Sequence, residues 1–346
     1  AKCNLVFEYY YGLNEKNGGC PKVFNLTPDQ ITTELVEEGQ TTPKYFAFRD
    51  VIRKHLPDTA QIPEPPPASV VIAIPRFSVR ELAGLSDLLT TPVRSARPLS
   101  MEDLGQAYGY LLYRTTINDT GLLLVKGLRD YATVLLNGRK IASLDRRNKQ
   151  VQARITLEHV PGVLDLLVEN GGRVNYGREM LDNRKGIVSG VTMAGKELLG
   201  WEQYSLPMDT VPPIPRTPGT SAPLLFGATV MLDQVGDTYL DMRGWGKGCV
   251  WVNGHHLGRF WYIGPQQTLF LPGVWLKHGE NTFVVLDLED QAFRTIEGLQ
   301  KPVLNELMPD RLKPKLPARH AGRVRLEGHD LAAEGLFTAS DEPQDV

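Results

Sequence analysis

The run Gly244-Trp-Gly-Lys-Gly-Cys-Val-Trp-Val-Asn-Gly-His-His-Leu-Gly-Arg-Phe-Trp261 constrains the fold more than any other stretch of the chain. Cys249, Trp251 and Leu257 alternate with Val250 and Val252 around Asn253-Gly254, a dipeptide that tolerates positive φ and so closes a tight type I′ turn. The alternation predicts an antiparallel hairpin with Trp251 turned into a sandwich core. A second run, Tyr131-Ala-Thr-Val-Leu-Leu-Asn-Gly-Arg-Lys-Ile-Ala-Ser-Leu144, repeats the order strand, Asn-Gly turn, strand. Asn-Gly hairpins are common, and two unrelated hairpins would look the same; the paired occurrence argues for two related sandwiches.

Turn residues divide the rest. Short apolar or alternating runs at 110–116, 122–126, 131–136, 152–157 and 163–168 form one β set, and runs at 224–232, 238–242, 249–252, 267–271 and 282–288 form another. Evenly spaced short strands of this kind fit jelly-roll sandwiches. A helix is expected around 45–54, followed by Pro63-Glu-Pro-Pro-Pro67, which can neither continue a helix nor donate ladder hydrogen bonds. The expected division is an appendage at 1–56, a Pro-rich linker at 57–96, a first sandwich at 97–206, a second Pro-rich linker at 207–220, a second sandwich at 221–305 and a flexible tail at 306–346.

A length of 346 residues suits two or three domains. The formal charge of −2, with both signs spread along the chain, gives no reason to expect a nucleic-acid partner. No apolar run approaches the ~18 residues of a membrane-spanning helix. Cys3 and Cys20 could form one bridge, whereas Cys249 sits in a strand and reads as a buried thiol. Ala1 is neither an initiator methionine nor the start of a signal peptide, so processing or truncation upstream is expected.

The Gly244–Trp261 run, with Gly264-Pro-Gln-Gln-Thr-Leu-Phe-Leu-Pro272 behind it, resembles the last β-domain of family 35 glycoside hydrolases, the lysosomal-type β-galactosidases. Tyr108-Gly-Tyr-Leu-Leu-Tyr-Arg-Thr-Thr116 is similar to the opening strand of that family's first β-domain. Leu164-Asp-Leu-Leu-Val-Glu-Asn-Gly-Gly-Arg-Val-Asn-Tyr-Gly177 and Lys185-Gly-Ile-Val188 continue the likeness in the same order. Thr42-Pro-Lys-Tyr-Phe-Ala-Phe-Arg-Asp-Val-Ile52 resembles the last helix of the family's (β/α)8 barrel. The resemblance implies a mainly β protein: two galactose-binding-like jelly rolls preceded by a short α/β remnant of a barrel, with most of the catalytic barrel absent.

A retaining glycosidase needs two carboxylates ~5 Å apart, one nucleophile and one acid/base. In the resembled family both lie upstream of the helix matched at Thr42. Val168-Glu169-Asn170 is similar to the family's acid/base motif, but it sits in the first β-domain, where Glu169 is expected to bond backbone amides or Arg173. Glu8-Tyr-Tyr-Tyr-Gly12 is similar to the nucleophile motif, yet too few residues separate it from the helix. Laid instead on the family's final barrel strand, residues 1–19 keep Asn4 and the closing glycines while the substrate-side stretch is replaced by Tyr9-Tyr-Tyr-Gly-Leu-Asn-Glu15. Neither alignment supplies a catalytic pair, so no catalytic residues are assigned.

Other chemistry finds no support either. His255 and His256 are adjacent on a strand, so their rings point to opposite faces and cannot chelate one metal. No phosphate loop, nucleophile elbow or Cys-x-x-Cys pair occurs. Arg146-Arg147 reads as a solvated loop, and neither cofactor nor metal is expected. Asn25-Leu-Thr27 and Asn118-Asp-Thr120 are glycosylation triplets.

Three functions remain open. The chain is expected to be a non-catalytic structural or assembly subunit, with other protein subunits covering residues 1–56. The first alternative is a processed fragment of an active β-galactosidase whose catalytic glutamates lie on a partner fragment. The second is a carbohydrate-binding module for galactosides. A lysosomal or secreted site goes with the processed enzyme, an organellar or intracellular complex with the subunit.

Overall fold

The computed structural model describes residues 41–309, except 58, 66, 176–177, 215–222 and 290–294, together with 325–326 and 329–330. The protein is mainly β, and its sheets pair antiparallel throughout the first and second sandwiches. Helix α1 spans Pro43–His55, with proline at its start, where no backbone N–H is needed, and Arg53, Lys54 and His55 at the end whose partial negative charge they complement. Buried Arg49 on α1 reaches the Pro-rich stretch behind it, donating to the Ile62 carbonyl at 3.0 Å, to Glu64 Oε1 at 2.8 Å and to the Pro63 carbonyl. The strand expected before this helix lies in residues 1–40, outside the described residues, so the appendage appears as a helix alone. Most of the tail from residue 310 lies outside them too.

The first sandwich packs a six-stranded sheet on a four-stranded one. The larger runs Val93–Ser95, Trp201–Leu206, Tyr110–Ile117, Gly162–Glu169, Tyr131–Leu136 and Arg139–Asp145 in spatial order. The smaller runs Lys196–Glu197, Gly186–Met193, Gly121–Arg129 and Gln152–Ile155. Leu111, Tyr113, Leu123, Val134, Leu166, Ile187 and Trp201 fill the space between them. Gly186 is required there, because a Cβ at its φ of +94° would meet the Tyr113 hydroxyl at 2.2 Å. That hydroxyl donates to the Leu99 carbonyl at 2.7 Å and accepts the Ile187 N–H at 3.0 Å.

The second sandwich has a four-stranded sheet, Ile74–Ser78, Thr295–Leu299, Thr238–Asp241 and Thr268–Leu271. Its five-stranded sheet runs His255–Trp261, Lys247–Val252, Gly279–Asp287, Pro223–Leu232 and Arg80–Gly84. Two of these strands come from the segment 57–96 read as linker, and both are edge strands. Pro75 sits in one of them, an edge position where a missing N–H is tolerated. The chain thus lays down two edges of the second sandwich, makes the first, then returns at Pro223 to finish the second. The first sandwich is an insertion in the second.

The Lys247–Val252 strand is buried on both faces. Val250 and Val252, not Trp251, face the intersheet core, where Trp245, Phe226 and Phe283 join them. Trp251 is buried on the opposite face and meets its cross-strand neighbour His256 edge-on, with ring centres 5.2 Å apart. The alternation was right and its inward side was reversed, because burial on both faces removes the polar residues that would have marked the outer one.

The two Asn-Gly turns share one device. Asn137 and Asn253 both have φ of 50°. Asn137 N–H donates to the Val163 carbonyl at 2.8 Å while its Oδ1 accepts the Val163 N–H at 2.8 Å. Asn253 makes the same double bond to Thr282, at 2.8 and 2.9 Å. Each asparagine therefore extends a strand ladder with its side chain as well as closing the turn.

Candidate functional site

The residues nearest to a glycosidase motif lie at one end of the first sandwich. Glu169 ends the Gly162–Glu169 strand, is 1% exposed, and pairs in register with Tyr110 on one side and Tyr131 on the other. Its backbone carbonyl accepts the Asp130 N–H at 2.9 Å. The expected bond to Arg173 is not made: Arg173 pairs with Glu102 at 2.7 Å and donates to the carbonyls of Ala107 and Asn183. Asn170 turns the chain, its amide donating to the Ala107 carbonyl at 3.0 Å and its Oδ1 accepting the Gly172 N–H.

Asp130 lies at the centre of this cluster. Its Oδ2 accepts Lys185 Nζ at 2.7 Å and the Gly171 N–H at 2.8 Å, and its Oδ1 accepts Arg146 at 2.9 Å. Burial opposes ionisation of Asp130, but Lys185 and Arg146 outweigh it and hold the carboxyl below its usual range. Glu102 behaves alike, with burial overcome by the Lys185 N–H and Arg173. Lys185 itself is wholly buried, which explains why the motif needs a lysine there: it neutralises a carboxylate in the interior.

Arg146 and Arg147 are not a solvated loop. Arg146 is bound to Asp130, while Arg147 clamps buried Asp145 through Nε at 3.0 Å and its own N–H at 2.9 Å. Arg114 likewise holds buried Asp165 through two parallel bonds of 2.7 and 2.9 Å. The histidines engage different indoles, His255 stacking on Trp275 at 4.8 Å and His256 meeting Trp251. Cys249 is buried in its strand. Among the described residues no group of three His, Cys, Asp or Glu side chains could hold a metal ion. Glu8, Cys3, Cys20 and Asn25 lie outside the described residues, and Asn118 is exposed between two strands.

The second sandwich carries a cleft that no sequence motif marks. Arg76, Asp241, Arg243, Thr295, Ile296 and Glu297 enclose about 280 Å³. Arg76 pairs with Glu297 across two neighbouring strands at 2.7 Å. Arg243 grips Asp241 through Nε at 2.9 Å and through Nη2 at 2.6 Å, with Glu306 at 3.5 Å on its other side. The Asp241 hydrogen bond, partly offset by burial, pushes the Arg243 guanidinium further up than usual, so it is charged at any working pH.

Residues 98–207 match the family described as beta-galactosidase, first all-beta domain, and residues 223–281 match beta-galactosidase, galactose-binding domain. The chain carries the C-terminal β-domains of family 35 β-galactosidases. It is 41% identical to a beta-galactosidase of Xanthomonas manihotis over 77% of this chain and 45% of that protein. It is 34% identical to beta-galactosidase-1-like protein 2 of Homo sapiens over 81% of this chain and 46% of the relative. The beta-galactosidase of Bos taurus is 33% identical over 88% of this chain and 52% of its own length. The chain thus spans about half the length of the β-galactosidase relatives it matches. Both matched regions are β-domains of such proteins, and the buried ion pairs described above belong to the first of them.

Proposed function

We propose that this chain is a non-catalytic structural subunit: two sandwiches of β-galactosidase descent that assemble with other protein subunits, which cover the segment 1–56. The observation that carries this reading is the fate of the buried carboxylates of the first sandwich. Asp130, Asp145 and Asp165 are each bound to a cation of their own sandwich, and Glu169 ends a buried strand. A glycosidase needs two carboxylates facing a shared substrate, one of them free to pass a proton. Helix α1 adds support, because Phe46, Phe48, Val51 and Ile52 are each about half exposed and a neighbouring subunit would bury them.

The test is hydrolysis of a chromogenic β-galactoside by the purified chain and by its native assembly, with mass analysis of that assembly. A structural subunit gives no hydrolysis in either form, and Glu169→Gln changes nothing. Hydrolysis by the chain alone, abolished by Glu169→Gln, would overturn the proposal. A second reading, a processed part of an active β-galactosidase, is favoured by the match to the Bos taurus enzyme along 88% of this chain. It requires activity in the assembly and none in the chain alone.

A further inference from the structure

We infer that Asn137-Gly138, at the tip of the first sandwich's hairpin, is a site of spontaneous modification that loses ammonia to become aspartyl and isoaspartyl, while its counterpart Asn253-Gly254 keeps its amide. The sequence holds four Asn-Gly pairs, beginning at Asn17, Asn137, Asn170 and Asn253, and the first lies outside the described residues. The Gly138 nitrogen, its proton passed to water, attacks the Asn137 carboxamide carbon. The new C–N bond closes a cyclic imide, and the amide nitrogen leaves as ammonia with a proton taken from water. Water then adds to one of the two imide carbonyls. Opening at the side-chain carbonyl gives aspartate; opening at the main-chain carbonyl gives isoaspartate, whose backbone is longer by the side-chain carbon. Water is the co-reactant, and nothing is oxidised or reduced. Glycine leaves the attacking nitrogen unhindered, and a Cβ at Gly138 or Gly254 would have nothing within 4 Å.

The two hairpin turns have the same backbone, and the bonds on the carboxamide separate them. To react, the carboxamide must leave its place in the ladder and swing onto the following nitrogen. Asn137 is exposed, and its side chain is held by the Val163 N–H alone, at 2.8 Å, among the described residues. Asn253 is half-buried and accepts the Thr282 N–H at 2.9 Å, while its Nδ2 also donates to the Trp275 carbonyl at 2.7 Å and to Asn281 Oδ1 at 2.8 Å. Asn281 is wholly buried and cannot turn its amide to meet a carboxylate, because its Nδ2 donates to the Lys277 and Gly279 carbonyls and its Oδ1 accepts the Lys277 N–H. An aspartate at 253 would therefore set an acceptor against two acceptors, whereas one at 137 still accepts the Val163 N–H. Asn170 is sealed: it is 3% exposed, both ends of its amide are bonded, and Asp130 holds the Gly171 N–H at 2.8 Å. Among the described pairs, Asn137-Gly138 is the one both free to open and tolerant of the product. The inference is independent of the structural-subunit reading, since the reaction needs neither partner nor substrate.

The test incubates the full chain in mildly alkaline buffer, folded and in urea, and follows each Asn-Gly peptide by mass and by chromatographic separation of the isoaspartyl form. The urea rate carries the influence of the neighbouring residues, so the ratio of unfolded to folded rate reports the protection at each pair. Two additional hydrogen bonds should make that protection about thirtyfold greater at Asn253 than at Asn137. The product variants read the same difference without waiting for the reaction. Asn137→Asp should leave the melting temperature of the first sandwich within about 2 °C, and Asn253→Asp should lower that of the second by more than about 5 °C. Three results would overturn the inference: an Asn137 that keeps its amide in the folded chain while the urea sample converts fully, protection that differs by less than about threefold or is greater at Asn137, or equal melting shifts for the two aspartate variants.

Discussion

Replacing Asn253 tests whether the Asn-Gly turns are held by backbone geometry alone or by the side-chain ladder as well. The Asn253 carboxamide accepts the Thr282 N–H at 2.9 Å and donates to the Trp275 carbonyl at 2.7 Å and to Asn281 Oδ1 at 2.8 Å. Asn253→Gly keeps the positive φ and loses those three bonds. At about 1 kcal/mol each, discounted because Asn281 Oδ1 also accepts the Lys277 N–H, the cost is about 2 to 3 kcal/mol. Asn253→Ala loses the same bonds and adds about 1 to 2 kcal/mol of left-handed backbone strain. Asn137 makes one side-chain bond, to the Val163 N–H, so Asn137→Gly should cost only about 1 kcal/mol. Urea unfolding followed by methyl NMR signals from each sandwich measures the costs separately, and hydrogen exchange at Thr282 and Val163 reports the ladder bonds directly. Equal costs for the two glycine variants, or unchanged exchange at Thr282 in Asn253→Gly, would refute the reasoning.

Lys185→Met should destabilise the first sandwich by about 3 to 5 kcal/mol, because it strips the buried Asp130 carboxylate of a cation; adding Asp130→Leu should restore part of the loss, as judged by the same urea midpoints. Acid should act oppositely on the two sandwiches. Asp130 and Glu102 have folded pKa values below their unfolded ones, so their stabilisation is fully present above the unfolded carboxylate range, about pH 4, and is lost as pH falls from there through the lowered folded values. Asp287, pushed up by burial in the second sandwich, contributes fully below about pH 4 and loses its contribution as pH rises through the raised value. Between pH 6 and 3 the urea midpoint of the first sandwich should therefore fall further than that of the second, and parallel loss would contradict the assignment.

The hairpins were legible because they are local: alternation and an Asn-Gly turn act within a dozen residues. The strands Ile74–Ser78 and Arg80–Gly84 were hidden because their partners lie far along the chain; the pair Arg76–Glu297 spans 221 positions. Pro75 sits inside the first of them, where an edge strand accommodates the missing N–H. Val93–Ser95, which pairs with Trp201–Gln203 at an edge of the first sandwich, was hidden for the same reason of distance. Gly248 had a visible signal without a visible cause: a Cβ there would meet the Leu286 carbonyl oxygen at 1.7 Å, so the neighbouring strand dictates the glycine.

The same small device recurs in both sandwiches and shows why the cleft could not be read from the chain. In Asp145-Arg146-Arg147 and in Asp241-Met242-Arg243, an aspartate caps the backbone N–H two residues on and also grips that residue's guanidinium. The spacing and the bonds are alike, so the sequence offers nothing to separate the two. Their surroundings do. Arg147 is 12% exposed and completes the wall of a buried polar cluster, whereas Arg243 is 41% exposed and borders open space beside Arg76 and Glu297. An ion pair sealed from water contributes to the uniqueness of one packing, while the same pair at a cleft keeps some hydrogen-bonding directions open to solvent. Exposure is set by strands that join from distant parts of the chain, and it decides which copy is sealed in the interior and which meets water.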